Sequence, residues 1–337
     1  MDLTTRYMGL TLRNPIVASA SPLNGDMGVL RALEDHGAGA VVLPSIFEEQ
    51  IAAEHRELEA RTHVPAIGFA EAQSYFPDFE GYGFGTERYL DIVRRAKESV
   101  TIPIIASLNC ATRAGWIDYA RALEQAGADA IELNVYFIAS DPALDGREVE
   151  QRHLDILAAV KTTVSIPVAV KIGPYFSAAG DMARALSAGG ADALVLFNRF
   201  YQPDIDIATL RLTSDLELST PAEIRLPLLW IALLHGRLAA SLAASTGVDS
   251  ADEVFKYLLA GADVVMSTSA LLRHGIEHMR TLVDGLSTLL AARGIDRVDE
   301  VRGRMSRARL PKPDTLERAH YIRMLQGYPA RPAAESS

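Results

Sequence analysis

The chain has 337 residues, 49% of them hydrophobic, with 33 basic and 43 acidic residues and a formal net charge of −10. That length suits one large core or two small domains, and an acidic chain without a basic cluster argues against a nucleic-acid face. The lone cysteine, Cys110, excludes an intrachain disulfide framework and a thiolate metal cluster, and no apolar run reaches the roughly 18 residues of a membrane span.

The opening stretch, MDLTTRYMGLTLRNP, carries no charged-then-apolar signal pattern, so a cytoplasmic protein is expected. A first strand is expected at 16–20. One grammar then recurs in DHGAGAVVLPS (35–45), QAGADAIELNV (125–135), SAGGADALVLFN (187–198) and LAGADVVMSTS (259–269). In each, a helix ends at glycine and an apolar strand follows without polar alternation. That is the pattern of a parallel strand buried on both faces. Two more strands enter through Ile-Pro, in TIPIIASL (101–108) and SIPVAVKI (165–172), where the missing proline N–H costs nothing. Amphipathic helical spacing fills 85–100 and 115–127.

Strands at 16–20, 40–44, 103–108, 130–134, 167–172, 193–197, 239–245 and 263–267 predict an α/β protein, a (β/α)8 TIM barrel. A doubly wound open sheet is the alternative, but its GxGxxG turn is missing. One barrel domain over 1–328 and a flexible tail at 329–337 are expected. Two stretches break the rhythm. One follows the second strand, at 64–84, and holds Tyr75, Phe76, Phe79, Tyr82 and Phe84; the other, 199–228, follows the sixth. Each reads as a packed cap or dimer surface, or as a substrate lid.

Barrel enzymes keep their chemistry at the carboxyl ends of the strands. Here those ends offer Ser19, Ala20 and Ser21, then Asn109, Asn134, Lys171 and Asn198, then Thr246 with Gly247, and Thr268 with Ser269. The last two pairs stand before helices after the seventh and eighth strands, the usual phosphate grip of the fold. Taken singly, such residues are more often helix caps. Lys171 closes the apolar run VAVKI and is either a charge stabiliser in the barrel mouth, a Schiff-base lysine, or a surface lysine beyond a misjudged strand end. In DAIELNVYFIASDP (129–142), Tyr136, Ser140 and Asp141 are the acid/base candidates, with Tyr136 first. Packing of Tyr136 and Phe137 over the barrel is the alternative. His274 and His278 share a helix face but lack a third ligand nearby, and read as solvated helix residues.

The segments LRNPIVASASPL, IELN, PVAVKIGP and LVLFN, with the two Gly/Ser/Thr turns, resemble the dihydroorotate dehydrogenase family over roughly residues 3 to 290. The resemblance implies an FMN-dependent TIM barrel with FMN in its mouth. Residues 18–21 would meet the flavin ring through backbone. Asn134 and Asn198 would bind ring or substrate amides, Lys171 would sit at the N1/O2 edge, and Thr246, Gly247, Thr268 and Ser269 would hold the phosphate. The family's soluble members read Asn-x-Ser-Cys-Pro-Asn after the fourth strand, with the cysteine as base. Here Phe137 falls at that cysteine, Pro44 falls at a family lysine, and a Gly-Gly turn has become Thr246-Gly247. A phenylalanine cannot take a proton, so the loop looks rebuilt.

The implied activity is hydride transfer between FMN and a small planar amide or unsaturated substrate, dihydroorotate to orotate in pyrimidine biosynthesis by resemblance. Electrons would pass to a soluble acceptor or a redox partner protein, and a homodimer is expected. The alternative is a non-catalytic FMN-binding barrel subunit of a redox complex. A flavin-free Schiff-base barrel is the third reading.

Overall fold

The computed structural model describes residues 1–48, 86–109, 112–199, 202–213, 217–311 and 326. Cys110, the aromatic stretch at 64–84 and the tail at 329–337 lie outside the described residues.

The chain begins with an antiparallel hairpin, β1 (Thr5–Tyr7) and β2 (Leu10–Leu12). It continues through β3 (Ile16–Ala18), α1 (Met27–Asp35), β4 (Ala40–Phe47), α2 (Thr86–Ser99), β5 (Ile104–Asn109) and α3 (Arg113–Gln125). Next come β6 (Ala130–Asn134), α4 (Gly146–Lys161), β7 (Val168–Ile172), α5 (Ala179–Ala188) and β8 (Ala193–Leu196). A second hairpin, β9 (Asp204–Asp206) with β10 (Arg211–Thr213), precedes α6 (Arg225–Leu234), β11 (Ser241–Ala244), α7 (Ala251–Ala260), β12 (Val264–Ser267), α8 (Ser269–His274) and α9 (His278–Ala291). Eight parallel strands close in the order β11-β12-β3-β4-β5-β6-β7-β8. The fold is the (β/α)8 barrel that the repeats predict, with a strand in each expected segment. No helix among the described residues is long and apolar enough to cross a membrane.

The repeated Gly-Ala-Asp is a clip between neighbouring strands. Gly127 ends α3 at φ +95°, a conformation that costs glycine little. The aspartate that follows then reaches back to an amide at the start of the preceding strand. Asp129 Oδ2 accepts from Ile104 N–H at 2.7 Å, Asp192 Oδ2 from Val168 N–H at 2.7 Å and Asp263 Oδ2 from Leu242 N–H at 2.8 Å. Lys97 and Lys161, in the last turns of α2 and α4, pair with Asp129 and Asp192 at 2.6 and 2.7 Å. The first repeat reverses the roles. Gly39 stands where the aspartate would, because a Cβ there would lie 2.3 Å from the Asn14 carbonyl. Asn14 does the work instead, its Oδ1 accepting from Ile16 N–H at 2.9 Å.

Two apolar layers result. Ile131, Leu133, Val168, Val170 and Ile172 face the helices. Inside the barrel, Ala40, Ala130, Ala169, Ala193 and Ala243 are too small to fill the lumen, and Tyr7, Met8 and Leu12 of the first hairpin pack among them. The amino end is thereby sealed: Tyr7 and Leu12 are almost completely buried.

Candidate active site at the barrel mouth

Strand alternation sets the site. On β6, Ile131 and Leu133 point outward, so Glu132 and Asn134 point inward with Ala130. On β7, Val170 and Ile172 point outward, so Lys171 points inward with Ala169. Asn134 and Lys171 lie opposite each other in register. Asn198, just past β8, donates its Nδ2 to Asn134 Oδ1 at 2.6 Å, and its backbone N–H is held by the Ile172 carbonyl at 2.8 Å. Two amides and an ammonium therefore meet at one rim.

Beneath them sits Glu132, only 1% exposed and 3.7 Å from Lys171 Nζ. That is an ion pair without a hydrogen bond. Burial pushes the Glu132 carboxyl up, and the Lys171 charge pulls it back. Ser107, paired with Glu132 in register, shares a 2.7 Å hydroxyl contact with Ser45.

The opposite rim is built from the last two strand ends. Thr246 holds φ +81°, unusual for a β-branched residue, and donates its hydroxyl to the Phe197 carbonyl at 3.2 Å. Thr268 stands just before α8 without capping it, its hydroxyl donating instead to the Ser19 carbonyl at 3.1 Å. Ser219 ties these turns together. Its hydroxyl accepts from Gly247 N–H at 3.2 Å and donates to Ser269 Oγ at 2.9 Å. Arg273 holds the Ser219 carbonyl at 3.0 Å and pairs with Asp249. His278 also serves this loop, its Nε2 lying 2.8 Å from the Asp249 carbonyl.

One pocket of about 150 Å³, partly open to solvent, joins the two rims. Ser19, Ala20, Lys171, Asn198, Thr246, Gly247, Thr268 and Ser269 all line it. So do Arg199 and Ser219, which the strand-end pattern does not reveal. The remaining expected residues stand differently. Ser21 turns its hydroxyl to Asn24 Oδ1 at 3.3 Å, outside the lining. Asn109 is buried at the end of β5 and also lies outside it. Asn134 reaches the pocket through Asn198. Tyr136 is half-buried in the loop after β6, while Ser140 and Asp141 are exposed. Phe137 lies under Arg152, whose guanidinium carbon is 4.2 Å from the ring centroid. Pro44, at a shift in the β4–β5 register, accepts the Tyr89 hydroxyl at 2.6 Å.

Fold and mouth together define a barrel enzyme with amides, one lysine and hydroxyl-lined turns gathered at the carboxyl ends of its strands. The chain belongs to the dihydroorotate dehydrogenase family, whose model, described as Dihydroorotate dehydrogenase, matches residues 2–290, and it is a flavin-dependent oxidoreductase of that family. It is 29% identical over 314 residues to the dihydroorotate dehydrogenase B (NAD(+)) catalytic subunit of Methanocella arvoryzae, covering 90% of this chain and 97% of the relative. The corresponding subunit of Thermoplasma acidophilum is 25% identical over 308 residues, covering 86% and 94%. The NAD-dependent dihydropyrimidine dehydrogenase subunit PreA of Escherichia coli is 23% identical over 355 aligned positions, covering 95% of this chain and 80% of the relative.

Proposed function

We propose that the chain binds FMN in the barrel mouth and moves hydride between it and a small planar amide or unsaturated substrate, with dihydroorotate, oxidised to orotate in pyrimidine biosynthesis, as the first candidate. One observation carries the reading. Lys171, Asn198 and the turns at Thr246–Gly247 and Thr268–Ser269, drawn from four separate strand ends, line one pocket.

The donor set fits FMN. Thr268 and Ser269 open α8, whose first-turn amides lack intrahelical acceptors and suit a phosphate. Lys171 offers a positive charge to the flavin's N1–C2=O edge, and the Asn134–Asn198 pair offers amides to the ring or the substrate. Bound FMN supplies a two-electron acceptor. Oxidation of dihydroorotate also releases a proton from C5, and Phe137, where the family base would stand, cannot take it. Tyr136 is the first candidate to hold and return that proton, and Ser140 the second. Electrons leave to a soluble acceptor or a redox partner protein; a homodimer in the cytoplasm belongs to the same reading.

Anaerobic titration of the FMN-loaded protein tests the substrate. Bleaching of the flavin band by dihydroorotate supports the first candidate. Bleaching by a dihydropyrimidine such as dihydrouracil alone moves the substrate to that class. A band that neither bleaches favours the non-catalytic subunit. With an active substrate, Tyr136→Phe should slow flavin reduction by roughly 10²- to 10⁴-fold, measured by stopped flow, with FMN still bound. An unchanged rate would remove Tyr136 from the mechanism.

A further inference from the structure

Glu132 is a costly residue that the substrate chemistry leaves without a task. It lies in the barrel lumen at 1% exposure, and neither carboxylate oxygen has a hydrogen-bond partner among the described residues. A carboxylate in that setting demands compensation. The charge that answers it is Lys171, 3.7 Å away. The pair gains little for stability, because desolvating two ions offsets much of their attraction, and apolar residues of similar volume often serve as well.

The placement is more telling. Lys171 lines the pocket and Glu132 does not. The two inward side chains sit on adjacent strands, with Glu132 in register with Ala169, two residues before Lys171. The acid is therefore one layer deeper in the lumen. Arg199, the other cation at the pocket, is committed elsewhere, with its Nε 3.1 Å from Glu223 Oε1 and its Nη1 donating to the Glu217 carbonyl. The charge presented upward at the β6–β7 rim is that of Lys171, less whatever Glu132 offsets from below.

We propose that Glu132 is a positioning residue that holds the Lys171 ammonium from beneath and partly offsets its charge, and so sets the reduction potential of the flavin above it. This rests on FMN occupying the mouth. Reduction adds negative charge to the flavin, which Lys171 stabilises and a nearby anion opposes. Removing the anion should favour the reduced form.

The test is the FMN midpoint potential, read by anaerobic dye equilibration on the full-length FMN-loaded protein. Glu132→Gln should shift the equilibrium toward reduced flavin by at least tenfold, about 30 mV upward for a two-electron couple. Glu132→Asp keeps the charge but withdraws it, and should shift the potential the same way by less. It also carries the test if the glutamine variant does not fold. In a Lys171→Met background, Glu132→Gln should change the equilibrium by less than about threefold, because a buried carboxyl without the ammonium beside it takes up a proton and leaves no charge to remove. A potential unchanged by Glu132→Gln overturns the proposal, and so does an equal shift in both backgrounds. Failure of the wild-type protein to bind FMN overturns the cofactor reading itself and is seen before any variant is compared.

Discussion

At its amino end the barrel is closed by apolar side chains: Tyr7, Met8 and Leu12 fill a lumen that five strands line with alanine. At the carboxyl end β5, β6 and β7 carry Ser107, Glu132, Asn134 and Lys171 inward, and the turn after β11 holds Thr246 in the left-handed region. The first end ties its strand amides down with repeated clips, although the buried Tyr7 hydroxyl has no hydrogen-bond partner among the described residues. The second leaves a buried carboxylate without hydrogen bonds and a β-branched residue at positive φ. Apolar packing dominates one end and charged chemistry the other, as a shared scaffold permits when strand ends can vary independently of strand bodies.

That contrast can be broken in order of effect. Leu12→Ala empties part of the amino-end plug and should cost about 2–5 kcal/mol. Denaturant unfolding should show the loss while FMN affinity of the folded protein stays within about twofold, since the plug lies at the far end from the pocket. A matching loss of FMN affinity would mean the two ends are not separable. Asp192→Ala strips the Val168 amide and Lys161 of their shared partner and should cost about 1–3 kcal/mol in the same assay, while Asp192→Asn, which keeps an acceptor, should cost less.

The smallest effect concerns pH. His153 is buried on α4, edge-on to Phe176 with ring centroids 5.3 Å apart, and burial lowers its pKa from the usual 6.5. The unfolded chain thus takes up this proton near pH 6.5 while the folded chain resists it until lower pH. Its contribution to stability is present above that value and fades as pH falls below it. The destabilisation caused by His153→Gln at about pH 7.5 should therefore shrink at about pH 5, with the other titrating groups cancelling in the difference. A constant difference across that range would show that the ring keeps its ordinary pKa.

Much of the frame was legible because it repeats. Each Gly-Ala-Asp announces a helix end and the strand after it, and the apolar runs mark the eight barrel strands. The clip itself is a tertiary contact, and only its spacing is visible in the chain. The amino-end plug is not legible in the chain, although TRYMGLTL alternates about a Met8–Gly9 turn, because three-residue strands carry too little periodicity to stand out. Glu132 was passed over inside an apolar strand, yet it stands two residues before Asn134 and so shares its face; strand alternation could have found it. Ser219 had no such signal, since its place at Gly247 and Ser269 depends on how the long segment after β8 returns to the barrel. Ser21 falls outside the pocket lining because its hydroxyl turns to Asn24, and Asn109, although on the inward face of Ser107, because the end of β5 does not reach the pocket.

FMN in the barrel mouth is tested most directly by an absorbance spectrum of the purified protein, followed by stripping and titration with FMN. A flavin visible band, saturable rebinding at one FMN per chain and markedly weaker rebinding by Lys171→Ala are expected. A protein that shows no flavin band and takes up no FMN would contradict it.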